Sequence, residues 1–318
     1  MKGSYRITVS NTKIRYEFTI RRNITIIKGD SATGKTTLVE MIREFYENGT
    51  DSGISLQCEK TCRVLNGRDW KVLLDSMHES IIFIDEDNEF LPSNAFAEAI
   101  KESDNYYVIV TREGLPNLPY SVDEIYGIRE SGRYASLKQT YNELYHIYGR
   151  IDYSKPIKPN HLVTEDSNAG YEFFEGIDGR NYTVETANGK SNVAGKILDA
   201  DEETLIIADG SAFGSEMDRA IKLMKTKSHV NLYLPESFEW LILESGLIDY
   251  HGLEKILEDP SNYIDSKEFF SWERYFNELL TEATRDSYMR YSKKKLNRVY
   301  LQKEVSERIL AVMKDIEL

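Results

Sequence analysis

Gly29-Asp30-Ser31-Ala32-Thr33-Gly34-Lys35-Thr36 fits the phosphate-binding pattern G-x-x-x-x-G-K-[ST] at every specified position. The pattern has meaning only between a strand and a helix. Ile24-Thr25-Ile26-Ile27 supplies an apolar strand before it, and Leu38, Val39, Met41, Ile42 and Phe45 recur at helical spacing after it. The glycines let the backbone curl so that successive N–H groups face phosphate oxygens, and the helix adds the positive end of its dipole. The run from Gly29 through Asp30, Ser31, Ala32, Thr33 and Gly34 to Thr37 is then the cofactor-binding surface. Lys35 reaches the β- and γ-phosphates, Thr36 offers its hydroxyl to Mg²⁺, and Thr37 is free to bond the α-phosphate. No N-K-x-D motif for guanine is present, so ATP is the default nucleotide.

A second run, Ile81-Ile82-Phe83-Ile84-Asp85-Glu86, has four apolar residues ending in two acids. A central parallel strand is apolar on both faces and delivers its first polar residue at its carboxyl end, where open α/β sheets bind ligands. Asp85 is therefore the metal candidate, and Glu86 is placed to polarise the water that attacks the γ-phosphate. The run resembles the Walker B strand of P-loop NTPases. Tyr106-Tyr107-Val108-Ile109-Val110 is a further apolar strand, ending in Thr111-Arg112. Related P-loop ATPases carry a sensor residue at this position, which implies that Thr111 senses phosphate and that Arg112 stabilises charge on the transferring group. A surface or ion-pair role for Arg112 remains open.

Composition bounds the rest. With 318 residues the chain is long enough for two domains, and 41% hydrophobic residues suffice for their cores. The amino end has no apolar leader and no run is long enough to span a bilayer, so the expectation is a cytoplasmic protein without membrane contact. Cys58 and Cys62 are too few for a disulfide framework and are read as two free thiols. A formal charge of -13 argues against non-specific coating of nucleic acid. One basic stretch stands out near the end, where Arg285, Arg290, Lys293, Lys294, Lys295, Arg298 and Lys303 are interleaved with Tyr288, Tyr291 and Tyr300. It reads either as a basic helix that meets nucleic acid or as a solvated helix face balancing local charge.

In chain order, Tyr5–Val9 and Ile14–Ile20 alternate about Asn11-Thr12 and predict a β-hairpin ahead of the phosphate-loop strand. One or two strands are expected between Ile54 and Leu65, and a helix from Asp69 to Met77. A further helix carries Ala95, Phe96, Ala99 and Ile100. Strands are expected at Ile125–Ile128 and Tyr134–Leu137, joined through Ser131-Gly132. Residues 1–150 form the expected first domain, and 151–160, with Pro156 and Pro159, the expected linker.

The second half restarts an α/β pattern over 161–245. Strands at His161–Thr164, Tyr182–Val184, Thr204–Ala208 and Val230–Leu234 alternate with helices, and carboxylates follow two of them: Glu165 after the first and Asp209 after the third. This layout resembles the Toprim fold of primases, topoisomerases and the overcoming-lysogenisation-defect nucleases. The resemblance implies that Glu165 and Asp209 bind Mg²⁺ for phosphodiester chemistry. The chain departs from that pattern, because Asp166 stands where Gly is common and Ser211 replaces a second Asp; Asp166, Glu216 or Asp218 are the available substitutes. Residues 246–318 form an expected helical region, with helices at Phe269–Leu280 and Leu296–Met313. It either covers the second sheet or makes a homo-oligomer contact.

The expected architecture is thus α/β: a P-loop NTPase parallel-sheet domain with an amino-terminal hairpin, a smaller Toprim-like α/β domain and a helical tail. The pairing resembles the overcoming-lysogenisation-defect ATPase-nucleases and related phage-defence ATPases, which implies an ATPase that gates action on nucleic acid. Fewer than fifty residues separate the two Walker motifs and no L-S-G-G-Q-like signature appears, so the dimerisation mode of ABC ATPases is unsupported. Two competitors stand beside this reading. One is an ATP-dependent regulatory switch that binds a partner protein without nuclease activity. The other is a small-molecule phosphotransferase, which calls for an Arg-rich lid that the sequence lacks.

Overall fold

The computed structural model describes residues 1–29, 33–131, 139–148 and 156–318. The expected strand at Tyr134–Leu137, residues Asp30, Ser31 and Ala32 of the phosphate loop, and the first part of the expected linker lie outside the described residues. The chain divides into two compact units: Met1–Gly149 with Asp259–Phe270, and Arg150–Glu258 with Ser271–Leu318. The region expected to be a helical tail thus contributes to both.

In the first unit, β1 (Tyr5–Ser10) and β2 (Ile14–Ile20) pair antiparallel, and Asn11 closes the hairpin by accepting the Lys13 and Ile14 N–H groups on its side-chain oxygen. There follow β3 (Ile24–Ile27), α1 (Lys35–Asn48), β4 (Ser55–Gln57), β5 (Cys62–Val64), α2 (Trp70–Asp75), β6 (Ile81–Ile84), α3 (Asn94–Lys101), β7 (Tyr106–Val110), β8 (Ile125–Glu130) and β9 (Thr140–His146). Strand β9, with alternating half-buried polar residues, was not among the expected strands. It joins the hairpin to the parallel strands, pairing parallel with β2 and antiparallel with β8. The result is one mixed sheet of order β4-β1-β2-β9-β8-β3-β7-β6-β5, in which only β8, β3, β7, β6 and β5 form the expected parallel array.

The sheet's two edges, β4 and β5, are joined by only Cys58, Glu59, Lys60 and Thr61. Laid flat, nine strands would separate their edges by about 38 Å. The five backbone steps from Gln57 to Cys62 reach at most about 18 Å. The sheet therefore curls. Leu38, Val39, Met41 and Ile42 of α1 lie in the same core cluster as Ile7, Val9, Tyr16, Phe18, Phe83 and Val108 from strands along its length. Strands β3, β6 and β7 are buried at every position, as central parallel strands must be.

The second unit contains β10 (His161–Thr164), α4 (Ala169–Gly176), β11 (Thr183–Thr186), α5 (Val193–Asp199), β12 (Thr204–Ile207), α6 (Met217–Met224), β13 (Val230–Tyr233), α7 (Phe238–Glu244), α8 (Leu253–Glu258), α9 (Trp272–Ala283) and α10 (Lys303–Leu310). The four strands are all parallel, in the order β11-β10-β12-β13. Helices α4, α7 and α9 share one apolar cluster with Leu162, Leu205 and Ile207 of the sheet. Ile157, inside the expected linker, is buried and bridges in parallel to Ile316.

The helix expected over Leu296–Met313 is a correction: the structure has a short 3-10 turn at Arg298–Leu301 and α10 only from Lys303. The basic stretch before it is likewise turns rather than a helix. Side chains there compete for the backbone. The Thr284 hydroxyl accepts the Tyr291 N–H (2.9 Å), and the Asn297 amide donates to the carbonyls of Tyr288 (2.8 Å) and Arg290 (3.3 Å).

Candidate functional site

The register of the first unit brings the sequence motifs to one edge. Ile27 of β3 lies opposite Val110 of β7, and Ile109 of β7 lies opposite Ile84 of β6. The ladder continues one step, with the Thr111 N–H donating to the Ile27 carbonyl at 3.1 Å. Strand β7 therefore carries Thr111-Arg112 between the start of the phosphate loop, Gly29, and the acids Asp85-Glu86.

Among the described residues of the loop, Gly29 and Gly34 have backbone conformations that demand glycine, at φ +142° and +86°. At Gly34 the demand is double, because an added Cβ would stand 2.6 Å from the Tyr16 hydroxyl. That hydroxyl donates to the Gly34 carbonyl at 2.8 Å, so β2 pins the turn from which α1 begins; burial pushes the Tyr16 phenol up to about 12. Lys35, the first residue of α1, is buried, and its ammonium donates to the Gly29 carbonyl (2.7 Å) and the Thr33 hydroxyl (3.0 Å). It thus ties together Gly29 and Thr33, on either side of Asp30, Ser31 and Ala32 in sequence. Thr36 and Thr37 are exposed on the first turn of α1.

Asp85 is buried at the carboxyl end of β6, and its Oδ1 accepts the Glu86 N–H at 2.8 Å. Glu86 is half-buried and forms an ion pair with Arg112, Oε1 to Nη2 2.8 Å. The Thr111 hydroxyl is drawn into its own turn, donating to the Glu113 carbonyl (2.9 Å) and accepting the Glu113 N–H (3.2 Å). Asn88 was not singled out in the sequence. Its amide donates to the Asp85 carbonyl (3.0 Å) and its oxygen accepts the Gly67 N–H (3.1 Å), tying the turn after β6 to the loop after β5.

In the second unit, Glu165 and Asp209 meet at adjacent strand ends. The Asp209 N–H donates to Glu165 Oε2 at 3.1 Å, and both residues line an open cavity of about 460 Å³ with Glu239, Tyr291 and Lys293. Burial, opposed by that Asp209 N–H and reinforced by the charge of Glu273, raises Glu165 to about 7. Asp209 is raised well above the usual carboxylate range, by burial and then by Glu273, Glu165 and Glu239. Glu239 is buried and accepts the Tyr291 hydroxyl at 2.7 Å. Lys293 pairs with Glu273. Burial opposes the charge on Lys293, but Glu273, Glu239 and Asp209 outweigh it and hold the ammonium above its usual range. Lys190 donates to the Ala212 carbonyl (3.1 Å) and is lowered by burial against the pull of Glu165.

The proposed substitutes for a second Asp are used elsewhere or stand apart. Asp166 binds the Asn168 amide (2.6 Å) and backbone N–H (3.2 Å), Glu216 takes the Ser215 hydroxyl (3.4 Å), and Asp218 is exposed. Ser211 is buried and its hydroxyl finds no partner among the described residues. Sequence reasoning missed Glu239 and Glu273, and named Tyr291 and Lys293 only as part of the basic stretch, not as neighbours of Glu165 and Asp209. Glu239 stands in the first turn of α7, well past the end of β13, behind the N-cap Ser237, whose hydroxyl accepts the Trp240 N–H (3.2 Å). Nothing in the sequence pointed to Glu273.

Hard oxygen donors, a hydroxyl and a carboxylate, make Thr36 and Asp85 a set that suits Mg²⁺. The second unit is a poorer fit. Among the described residues no group of three or more His, Cys, Asp or Glu could hold a metal ion, and the Glu165–Asp209 pair shares its cavity with the Lys293 ammonium. Among the described residues no helix is long and apolar enough to cross a membrane. Comparisons with protein-family models, with curated proteins and with solved structures found no match for this chain.

Proposed function

We propose that the first unit binds and hydrolyses ATP as a P-loop NTPase. The observation that carries this reading is the convergence at one sheet edge of a G-x-x-x-x-G-K-[ST] loop, an Asp-Glu pair and a Thr-Arg pair from three neighbouring parallel strands. Lys35 and the N–H groups at the start of α1 bind the phosphates. Thr36 and Asp85 would hold Mg²⁺, which when bound neutralises phosphate charge. Glu86 takes the proton of the attacking water, Arg112 faces the charge that develops on the transferred group, and Thr111 fixes the backbone turn that presents Arg112.

For the second unit we propose a Toprim-like domain that responds to the nucleotide state without two-metal phosphodiester cleavage. The engagement of the third carboxylate, Glu239, by the Tyr291 hydroxyl and the lysine inside the cavity favour this regulatory reading over a nuclease. Its partner is a protein, or a nucleic acid met by the exposed Arg285, Tyr288, Arg290, Lys294, Lys295 and Arg298 near the cavity residues Tyr291 and Lys293.

Mg²⁺-dependent ATP binding and turnover, measured on wild type, Lys35→Ala and Glu86→Gln, test the first unit. Loss of binding in Lys35→Ala, with binding but no turnover in Glu86→Gln, is the expected result; a wild type that binds no nucleotide overturns the reading. A divalent-dependent cleavage assay on single- and double-stranded DNA and RNA tests the second unit, and cleavage abolished by Glu165→Gln would restore the nuclease reading.

A further inference from the structure

Cys58 and Cys62 stand outside the nucleotide chemistry. Cys58 follows the last residue of β4 and is half-buried; Cys62 opens β5 and is buried in the core cluster against which Cys58 packs. Only the turn Glu59-Lys60-Thr61 separates them, and the Cys62 thiol lies over that turn, donating to the Lys60 carbonyl at 3.8 Å. The Cys62 thiol, and after it the backbone N–H groups of Lys60 and Glu59, favour the thiolate form of Cys58. Against the opposing effect of burial, these donors draw the Cys58 thiol down to about 7. The hydrogen bond to Cys58 and then burial push the Cys62 thiol up. One thiol is thus accessible and cradled as an anion, and its neighbour is protonated and held in the core. That is the arrangement of an attacking thiol beside a resolving one.

We propose that Cys58 and Cys62 form a reversible intramolecular disulfide, with Cys58 as the attacking and Cys62 as the resolving thiol, and with a small disulfide of the glutathione class as oxidant. The Cys58 thiolate attacks one sulfur of the oxidant, forming a mixed disulfide and expelling one thiolate. Cys62 loses its proton to solvent and attacks the Cys58 sulfur, breaking the mixed disulfide and expelling the second thiolate. The net change oxidises two protein thiols to one disulfide and reduces one small disulfide to two thiols. The bond would close the four-residue connection between β4 and β5, the opposite edges of the nine-stranded sheet, and so fix how far its curl can open.

The test is incubation of the full chain with oxidised glutathione, followed by thiol titration in denaturant and intact mass. Wild type should lose both thiols and two hydrogens, add no glutathione, and regain both thiols with a reductant. Cys62→Ala should stop at a stable Cys58–glutathione adduct. Cys58→Ser should keep its one thiol, reacting at least tenfold more slowly than wild type. Thermal unfolding of each variant separates loss of reactivity from loss of fold. A wild type that remains a dithiol, stops as the glutathione adduct, or forms covalent dimers overturns the proposal. Equal reactivity of folded Cys58→Ser and Cys62→Ala overturns the assigned roles.

Discussion

Arg112 and Glu86 are ion-paired at 2.8 Å across the carboxyl ends of β7 and β6, so the residue expected to act as base and the residue expected to stabilise the transferred phosphate hold each other. Arg112 is 58% exposed in its side chain, and a pair this open to water contributes little to stability. Such a pair is easily exchanged for a phosphate. Arg112→Ala should leave the melting temperature nearly unchanged and lower kcat for ATP at least tenfold with little change in nucleotide affinity. Steady-state turnover beside equilibrium binding checks this. Unchanged or increased turnover would reduce Arg112 to a surface ion-pair residue.

Gly34 meets two separate constraints, its left-handed φ and the Tyr16 hydroxyl. Gly34→Ala should cost about 1–2 kcal/mol for the backbone alone and more for the clash. Adding Tyr16→Phe removes the oxygen that stands 2.6 Å from the new Cβ but leaves the backbone strain. The double variant should therefore recover part of the lost stability, and only part of any nucleotide affinity. Denaturant melts of the four-member cycle measure the coupling.

Glu124 gives the first unit a pH signature. Its carboxylate is buried with Arg22 at 3.7 Å and the Thr25 hydroxyl at 3.1 Å, yet burial outweighs these partners and raises it to about 7. The folded state therefore holds a proton that the unfolded chain releases near pH 4.5. Between those values the folded state binds more protons, so stability falls as pH rises, by on the order of 3 kcal/mol if fully expressed. Glu124→Gln should flatten that part of the stability curve, as urea melts at pH 5 to 8 would read.

The buried carboxylate of Glu239 accepts the Tyr291 hydroxyl at 2.7 Å. Tyr291→Phe should destabilise the second unit by about 1–3 kcal/mol through the unsatisfied acid, while Tyr291→Phe with Glu239→Gln should recover part of the loss. Thermal unfolding of the three proteins distinguishes this coupling from simple loss of packing.

Nucleic-acid contact through the basic stretch has its own signature. Charge reversal at Arg290, Lys294 and Lys295 should weaken binding of single-stranded DNA and flatten its dependence on salt. Fluorescence anisotropy across a salt series measures both. A wild type that binds no nucleic acid at low salt leaves the protein partner as the remaining reading.

How much of this was legible depended on whether the signal was local. The strand Ile24–Ile27 and the helix from Lys35 that flank the Gly29–Thr36 pattern, the apolar strands at Ile81–Ile84 and Tyr106–Val110 and the hairpin about Asn11 are each specified within a few residues. Strand β9 was not, because its pairing with β2 places Tyr141 beside Arg15 across more than a hundred residues and leaves its faces half-polar. The cavity of the second unit shows the same divide. Glu165 and Asp209 could be read from strand ends, whereas Tyr291 and Lys293 enter from irregular backbone shaped by Thr284 and Asn297.

The return of Asp259–Phe270 to the first unit bears on how the chain must be assembled. The Gly3 N–H donates to the Ser261 carbonyl, the Ser266 N–H to the Met1 carbonyl, and the Asn23 amide to the Phe270 carbonyl, while the Phe270 ring fills a core beside Ile24 and Trp70. During synthesis the amino-terminal strands therefore emerge long before their last neighbours exist. The first unit cannot finish folding until most of the second unit has left the ribosome, and a fragment cut at residue 150 would expose the surface that Phe270 covers.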